Sequence, residues 1–332
     1  MNKIINNSYI PVLDSLRAFA AISVCLYHFV FTTTGYITTQ WILDIFSVGK
    51  YGVQLFFVIS GFVIPWAMYN ARFKFKNIFT FLLKRLCRLE PPYLFSIILA
   101  LVILFLRERL LGAENSHIEV STKQVLLHLG YLIPFFKNYH WLNQVYWTLA
   151  IEFQYYFFIA LLFIPLLKAK ILIRICIYSS IVALSFIGTS SFLFYWLPVF
   201  LLGILVFLFL SGLIHKIEFS ITLFLVFSFC LYKYDAWSVI YMSILVASLL
   251  FFRNAKILGL HFLGKFSYSI YLIHPIIGAS IINILSHHVN TTPIQKIGVI
   301  LLGILVTIFG AWITYIFIES PSKKCSAKII YS

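Results

Sequence analysis

VLLHLGYLIPFF, residues 125–136, is the stretch on which the architecture turns. It is almost entirely apolar, yet as a helix it would reach only ~18 Å, well short of the ~30 Å hydrocarbon core of a bilayer. Pro134 near its end would break a helix there. Ten longer apolar stretches surround it, at roughly 13–34, 51–69, 92–106, 148–167, 171–189, 192–210, 218–232, 237–252, 267–285 and 297–317. If 125–136 stays on one side and the N-terminus is cytoplasmic, 18 Lys and Arg fall on the inner side and 7 on the outer. If it crosses, the split becomes 11 inside and 14 outside. Short loops carry their basic residues on the cytoplasmic side, so the first arrangement is the physical one. The expectation is an all-α, polytopic transmembrane helical bundle of about ten spans with N- and C-termini cytoplasmic and residues 125–136 re-entrant or interfacial.

Composition agrees with that class. Of 332 residues, 62% are hydrophobic, 19% aromatic and 11% charged, against the roughly 25% charged residues of a soluble domain. Mean hydropathy is +0.98. The net charge of +15 comes largely from the loops of the inner side, which removes the reason to invoke nucleic acid. Five cysteines are scattered without CxxC or Cys/His spacing, so no metal is expected. There is no convincing internal repeat of the kind inverted-repeat transporters carry. The first apolar run holds Asp14, Arg17 and His28 and is followed by further spans, so it is expected to be retained rather than cleaved as a signal peptide. One integral-membrane domain over 1–332 is expected, with 318–332 as a short basic cytoplasmic tail.

Ionisable groups within spans are costly, so each is a functional candidate. Arg17 and His28 are eleven residues apart, about three turns and about 16 Å along one helix face. They would line one path, Arg17 near the cytoplasmic mouth and His28 in the outer half. Structural uses compete: a snorkelling boundary arginine and a hydrogen-bonded core histidine. Glu152 reads as the one carboxylate clearly inside a span core, and at the outer end of its span it is placed to pair with His28. A bond to Tyr or Gln would satisfy it equally. Tyr271 and His274 share a face before Pro275, with Tyr268 one turn earlier, which suits a cavity wall or a satisfied histidine at a kink. Arg85 and Arg88 are one turn apart, so two guanidinium forks can face a polyphosphate, or simply serve topology and anionic lipid.

Taken in order, six segments resemble the membrane-bound acyltransferase-3 family, which acylates bacterial cell-surface sugars. They are LDSLRAFAAISVCLYHF (13–29), GVQLFFVISGFVI (52–64), KRLCRLEPPYL (84–94), YWTLAIEFQYYF (146–157), LGKFSYSIYLIHP (263–275) and FIESP (317–321). The resemblance implies an enzyme of the bacterial cytoplasmic (inner) membrane that uses acyl-coenzyme A, acetyl-CoA first, to acylate a hydroxyl of O-antigen, capsule or a lipid-linked glycan. It implies His28 as general base or transient acyl acceptor, Arg17 orienting the thioester, and Arg85 and Arg88 on the coenzyme A phosphates. Glu152 would stabilise the imidazolium, while Asp14, Tyr268, Tyr271 and His274 would line the substrate cavity, the last three with the alternative of donating to the oxyanion. Expected partners are acyl-CoA, the surface glycan or lipid-linked oligosaccharide acceptor and membrane lipids, with a homo-oligomer left open. Thr148 stands where many members have Ser, and Glu90 where a neutral residue is usual. The chain ends soon after the last span, so the SGNH-type domain fused to some members is not expected. A glycolipid or small-anion transporter using the same buried groups as a proton relay is the competing class, and acyl-coenzyme A binding separates the two.

Overall fold

The computed structural model describes residues 9–31, 36–111, 120–286 and 292–331, and among them there is no strand. Each of the ten long apolar stretches falls on a helix, residues 32–34 of the first lying outside the described residues: α1 (Pro11–Phe31), α3 (Gly52–Asn70), α4 (Ile78–Leu111), α6 (Tyr146–Lys168), α7 (Ile171–Leu184), α8 (Leu193–Leu210), α9 (Lys216–Lys233), α10 (Ala236–Phe251), α12 (Ser267–Ile273) and α14 (Pro293–Thr314). Short helices α2 (Gln40–Ser47), α5 (Thr122–Leu129) and α11 (Leu258–Gly264) connect them. Among the described residues, seven helical runs are long and apolar enough to cross a membrane, while α7 and α10 are apolar but shorter. Within a bilayer a helix satisfies its own backbone groups, which is why these runs need no partner strand.

The decisive stretch at 125–136 is not one continuous helix. α5 ends at Leu129, Tyr131 takes a left-handed φ of 55°, and a 3-10 turn covers Ile133–Phe135. His128 anchors it: Nδ1 lies 2.7 Å from the Gln124 carbonyl and Nε2 accepts from Leu142 N at 2.9 Å. That arrangement requires a neutral ring, and burial pushes the His128 pKa down accordingly.

Two glycines set the closest approaches in the bundle. A Cβ on Gly203 of α8 would overlap the Val58 carbonyl of α3, and one on Gly264 would overlap the backbone of Asp14. Small residues at such crossings let helix backbones touch. Aromatic rings pack beside this crossing, with Phe57 of α3 on Phe200 of α8 at 4.9 Å and Tyr155 of α6 on the same ring at 4.1 Å. α1 and the run starting at α12 lie parallel, because Asp14 meets Gly264, His28 meets His274 and Phe29 meets Gly278. The α12 helix passes through a π-type turn at His274–Gly278 containing Pro275, and continues as α13 (Ala279–Ser286).

Two features at helix ends add to the expectation. Besides Glu152, Glu319 is 1% exposed and Glu218 6% exposed. The described part of 318–332 is packed against α4. α14 runs through a π-type turn (Tyr315–Glu319) into α15 (Ser320–Lys328), where Ser326 Oγ donates to the Lys84 carbonyl at 2.7 Å and Lys84 Nζ donates to the Ile329 carbonyl at 3.1 Å.

Glu218 is held by a two-pronged contact from Arg174, at 2.8 and 2.7 Å, which ties the starts of α7 and α9 together. Arg174→Ala leaves a buried carboxylate without its cation, a change that costs about 3–5 kcal/mol. The expected result is a clear drop in the detergent-solubilised melting temperature, with Arg174→Met/Glu218→Leu recovering most of it. A melting curve unchanged by Arg174→Ala would contradict the pair's structural role.

Candidate active site

A cavity of about 570 Å³ opens between the starts of α1, α4 and α12 and the end of the α14–α15 run. Its lining has two characters. Arg17, Lys84, Arg85, Arg88, Lys265, Lys323 and the carboxylates form a charged part, while Val53, Phe56 and Phe57 gather with the hydrogen-bonded Thr148 and Tyr271 in a more apolar part. Six cations line it against three carboxylates, Asp14, Glu152 and Glu319, so the cavity favours a polyanion.

Each charged group has an identifiable support. Arg17 Nη1 is 3.5 Å from Asp14 Oδ1, one turn earlier on α1. Asp14 also accepts from the Tyr9 hydroxyl, and His261 Nδ1 stands 3.9 Å from it. Burial and then the Asp14 hydrogen bond push the Tyr9 phenol up to about 12. The Arg85 guanidinium lies over the Phe81 and Tyr156 rings at 5.4 and 5.7 Å, stacking that orients its fork. Glu152 Oε1 accepts from Tyr156 OH at 2.8 Å and Ser60 Oγ at 3.0 Å. Glu319 accepts from Ser269 N and Oγ at 3.2 and 2.5 Å and from Lys323 Nζ at 2.7 Å. Lys323 additionally donates to the Lys265 carbonyl at 2.8 Å. Tyr268 OH donates to the Leu89 carbonyl at 3.1 Å, joining α12 to α4.

Asp14, Arg17, Arg85, Arg88, Glu152, Tyr268 and Tyr271 therefore share one cavity, while His28 and His274 are not among its lining residues. The two histidines form a pair, ring centroids 5.3 Å apart, with Gln144 hydrogen-bonded to His28. His274 Nδ1 lies 3.2 Å from the Ile270 carbonyl. The His274 ring centroid is 5.9 Å from that of Tyr271, so the pair lies just behind that wall residue. Glu152 is not the neighbour of His28 that its depth in the sequence suggested. Thr148, one turn earlier, occupies the level of Tyr271, and Glu152 sits farther toward the arginines.

Residues outside the sequence-derived set also line the cavity, namely Ser60, Lys84, Lys265, Glu319 and Lys323. A signal for two of them was present: Glu319 lies in FIESP, and Lys323 follows at the helical spacing of four. Among the described residues no group of three or more His, Cys, Asp and Glu could hold a metal ion.

Comparison with known proteins adds the following. The acyltransferase-3 family, described as an acyltransferase domain, matches residues 10–316. O-acetyltransferase OatA of Staphylococcus aureus is 26% identical over 378 aligned residues, covering 98% of this chain and 59% of the relative. A Bacillus subtilis protein that carries the provisional name peptidoglycan O-acetyltransferase YrhL is 28% identical, covering 96% of this chain and 55% of the relative. The chain thus spans less than two thirds of the length of the curated relatives it matches. No solved structure matches it.

Proposed function

Because the chain belongs to the acyltransferase-3 family, we propose that it transfers a short acyl group, acetyl first, from cytoplasmic acyl-coenzyme A to a hydroxyl of a surface glycan. The supporting observation is a cavity that joins a cationic part to a more apolar part, with the histidine pair next to Tyr271 of its wall. Coenzyme A has the matching polarity, with phosphates at one end and a thioester at the other. Arg85 and Arg88 would take the phosphates, assisted by Lys84 and Lys323, and Arg17 would steer the pantetheine arm.

His28, with His274 beside it, would accept the proton of the attacking sugar hydroxyl, or take the acyl group itself before passing it on. As general base, His28 removes the O–H proton as the C–O bond forms and the C–S bond breaks, and the coenzyme A thiolate leaves into the cavity. Glu152, bonded to Ser60 and Tyr156, would set the positions of the cavity cations rather than partner His28. The acceptor would approach from the opposite, outer side. O-antigen and capsule are acceptor classes of this chemistry, and the name of the Bacillus relative adds peptidoglycan.

Donor binding is the direct test: purified protein in detergent is expected to bind acetyl-CoA, and an absence of binding would favour the transporter class. Sidedness is the second test, since the cavity mouth must face the cytoplasm. Single cysteines in Lys168→Cys and Lys324→Cys chains are expected to react with an impermeant maleimide in inverted vesicles and not in intact cells. Labelling of Lys168→Cys in intact cells would refute the ten-span, cytoplasmic-termini topology.

A further inference from the structure

The cavity lining ends one helical turn short of the histidine pair, and Tyr271 is the lining residue that touches it. α12 contributes Ser267, Tyr268 and Tyr271 to the lining and nothing beyond, while α1 contributes Asp14 and Arg17. Tyr271 is 5% exposed and held from two sides. Its hydroxyl is 2.9 Å from Thr148 Oγ1, and Thr148 donates to the Val145 carbonyl at 2.9 Å, which leaves the threonine oxygen to accept from Tyr271. Phe56 meets the Tyr271 ring edge-on at 5.2 Å, and its helix also supplies Val53 and Phe57 to the same end.

We propose that Tyr271, tethered to Thr148 and braced by Phe56, is the residue that limits acyl-chain length. The proposal rests on the cavity being the acyl-coenzyme A site. A donor with its phosphates at Arg85 and Arg88 points its thioester end at Tyr271. A two-carbon acyl group ends before the ring, and each added methylene must displace a packed aromatic side chain. Walled apolar pockets discriminate by roughly 10- to 200-fold per methylene, because interiors are packed too densely to absorb the extra volume. Passage of the acyl carbon to His28 then requires the ring to turn aside, which a single neutral hydrogen bond to Thr148 permits more readily than an ion pair would.

The test is calorimetric titration of the purified protein and its variants with coenzyme A, acetyl-CoA and butyryl-CoA, reading the ratio of the last two dissociation constants. The wild-type chain is expected to favour acetyl-CoA by at least about tenfold. Tyr271→Ala is expected to collapse the ratio or invert it, since each extra methylene buried in the opened space adds about fourfold in affinity. Tyr271→Phe keeps the ring and is expected to retain most of the preference. Phe56→Ala removes the brace from another helix and should lower the ratio as well, so it decides the matter if Tyr271→Ala fails to fold. A tenfold preference surviving in both alanine variants would overturn the proposal, as would a wild-type chain that binds coenzyme A without distinguishing the two thioesters. A wild-type chain that binds neither coenzyme A nor acetyl-CoA would overturn the donor-site reading itself.

Discussion

A His28→Ala chain is expected to leave the surface glycan unacylated while reaching the membrane in normal amount. As a general base the imidazole supplies about 100- to 10,000-fold in rate, and as a covalent acyl carrier it supplies the whole reaction. Either way cellular O-acyl content should fall to background. The fold should tolerate the change, because α1 is held by Ala18, Ala20, Ala21, Val24, Cys25 and Phe29, all of them buried and none of them altered. Ester release from isolated glycan, set against membrane abundance by immunoblot, reads both quantities. Trapping of radiolabelled acetyl on the wild-type chain and its loss in the variant would identify the carrier role. Full acylation by a normally abundant variant would remove His28 from the chemistry.

The second large effect is expected at the cavity wall. In an Arg85→Ala/Arg88→Ala chain, two charge-assisted contacts to phosphate disappear, each worth about 1.5–3 kcal/mol. Together that is roughly 150-fold to 20,000-fold in the acetyl-CoA dissociation constant. Solvent in a water-accessible cavity screens charge and argues for the lower end, about a hundredfold. Lys84, Lys265 and Lys323 stay in the lining and keep residual affinity. An Arg85→Lys/Arg88→Lys pair should recover only part of the loss, because an ammonium cannot fork or stack on Phe81 and Tyr156 as Arg85 does. The deficit should shrink as salt rises. Unchanged donor affinity in the double alanine chain would return both residues to a purely topological role.

The helices were legible in the sequence because each carries an apolar run that has no other stable form in lipid. Within the site, spacing along one helix was equally legible: Arg17 and His28 on α1, Arg85 and Arg88 on α4, Tyr268 and Tyr271 on α12. Contacts between helices were not. Glu152 and His28 were matched by estimated depth, but depth cannot say which neighbour a side chain faces, and a single turn separates Thr148 beside Tyr271 from Glu152 among the arginines. The His28–His274 pair depends on the parallel packing of α1 against the α12 run, which the Gly264–Asp14 contact permits and no local pattern announces. Lys323 was hidden for another reason. Pro321 and the following lysines read as the end of a span, whereas the π-type turn at Tyr315–Glu319 carries the helix onward and brings Lys323 into the cavity.

The length of α4 has a mechanical meaning. At 34 residues it measures about 51 Å, some 20 Å more than the hydrocarbon core. Arg88 and Arg107 are 19 residues apart, about 28 Å, so the guanidiniums bracket one leaflet pair like marks on a gauge rod. Leu94, Ile98, Val102 and Phe105 between them face outward, toward lipid. Arg88 therefore lines the cavity from a helix longer than the hydrocarbon core, whereas Arg17 is held on α1 by the Asp14 carboxylate one turn earlier. Thinning or thickening the bilayer would slide or tilt the rod against its neighbours, and mismatch of this kind costs fractions of a kcal/mol per ångström. Membrane thickness thereby becomes an input to the height at which Arg85 and Arg88 stand relative to Arg17.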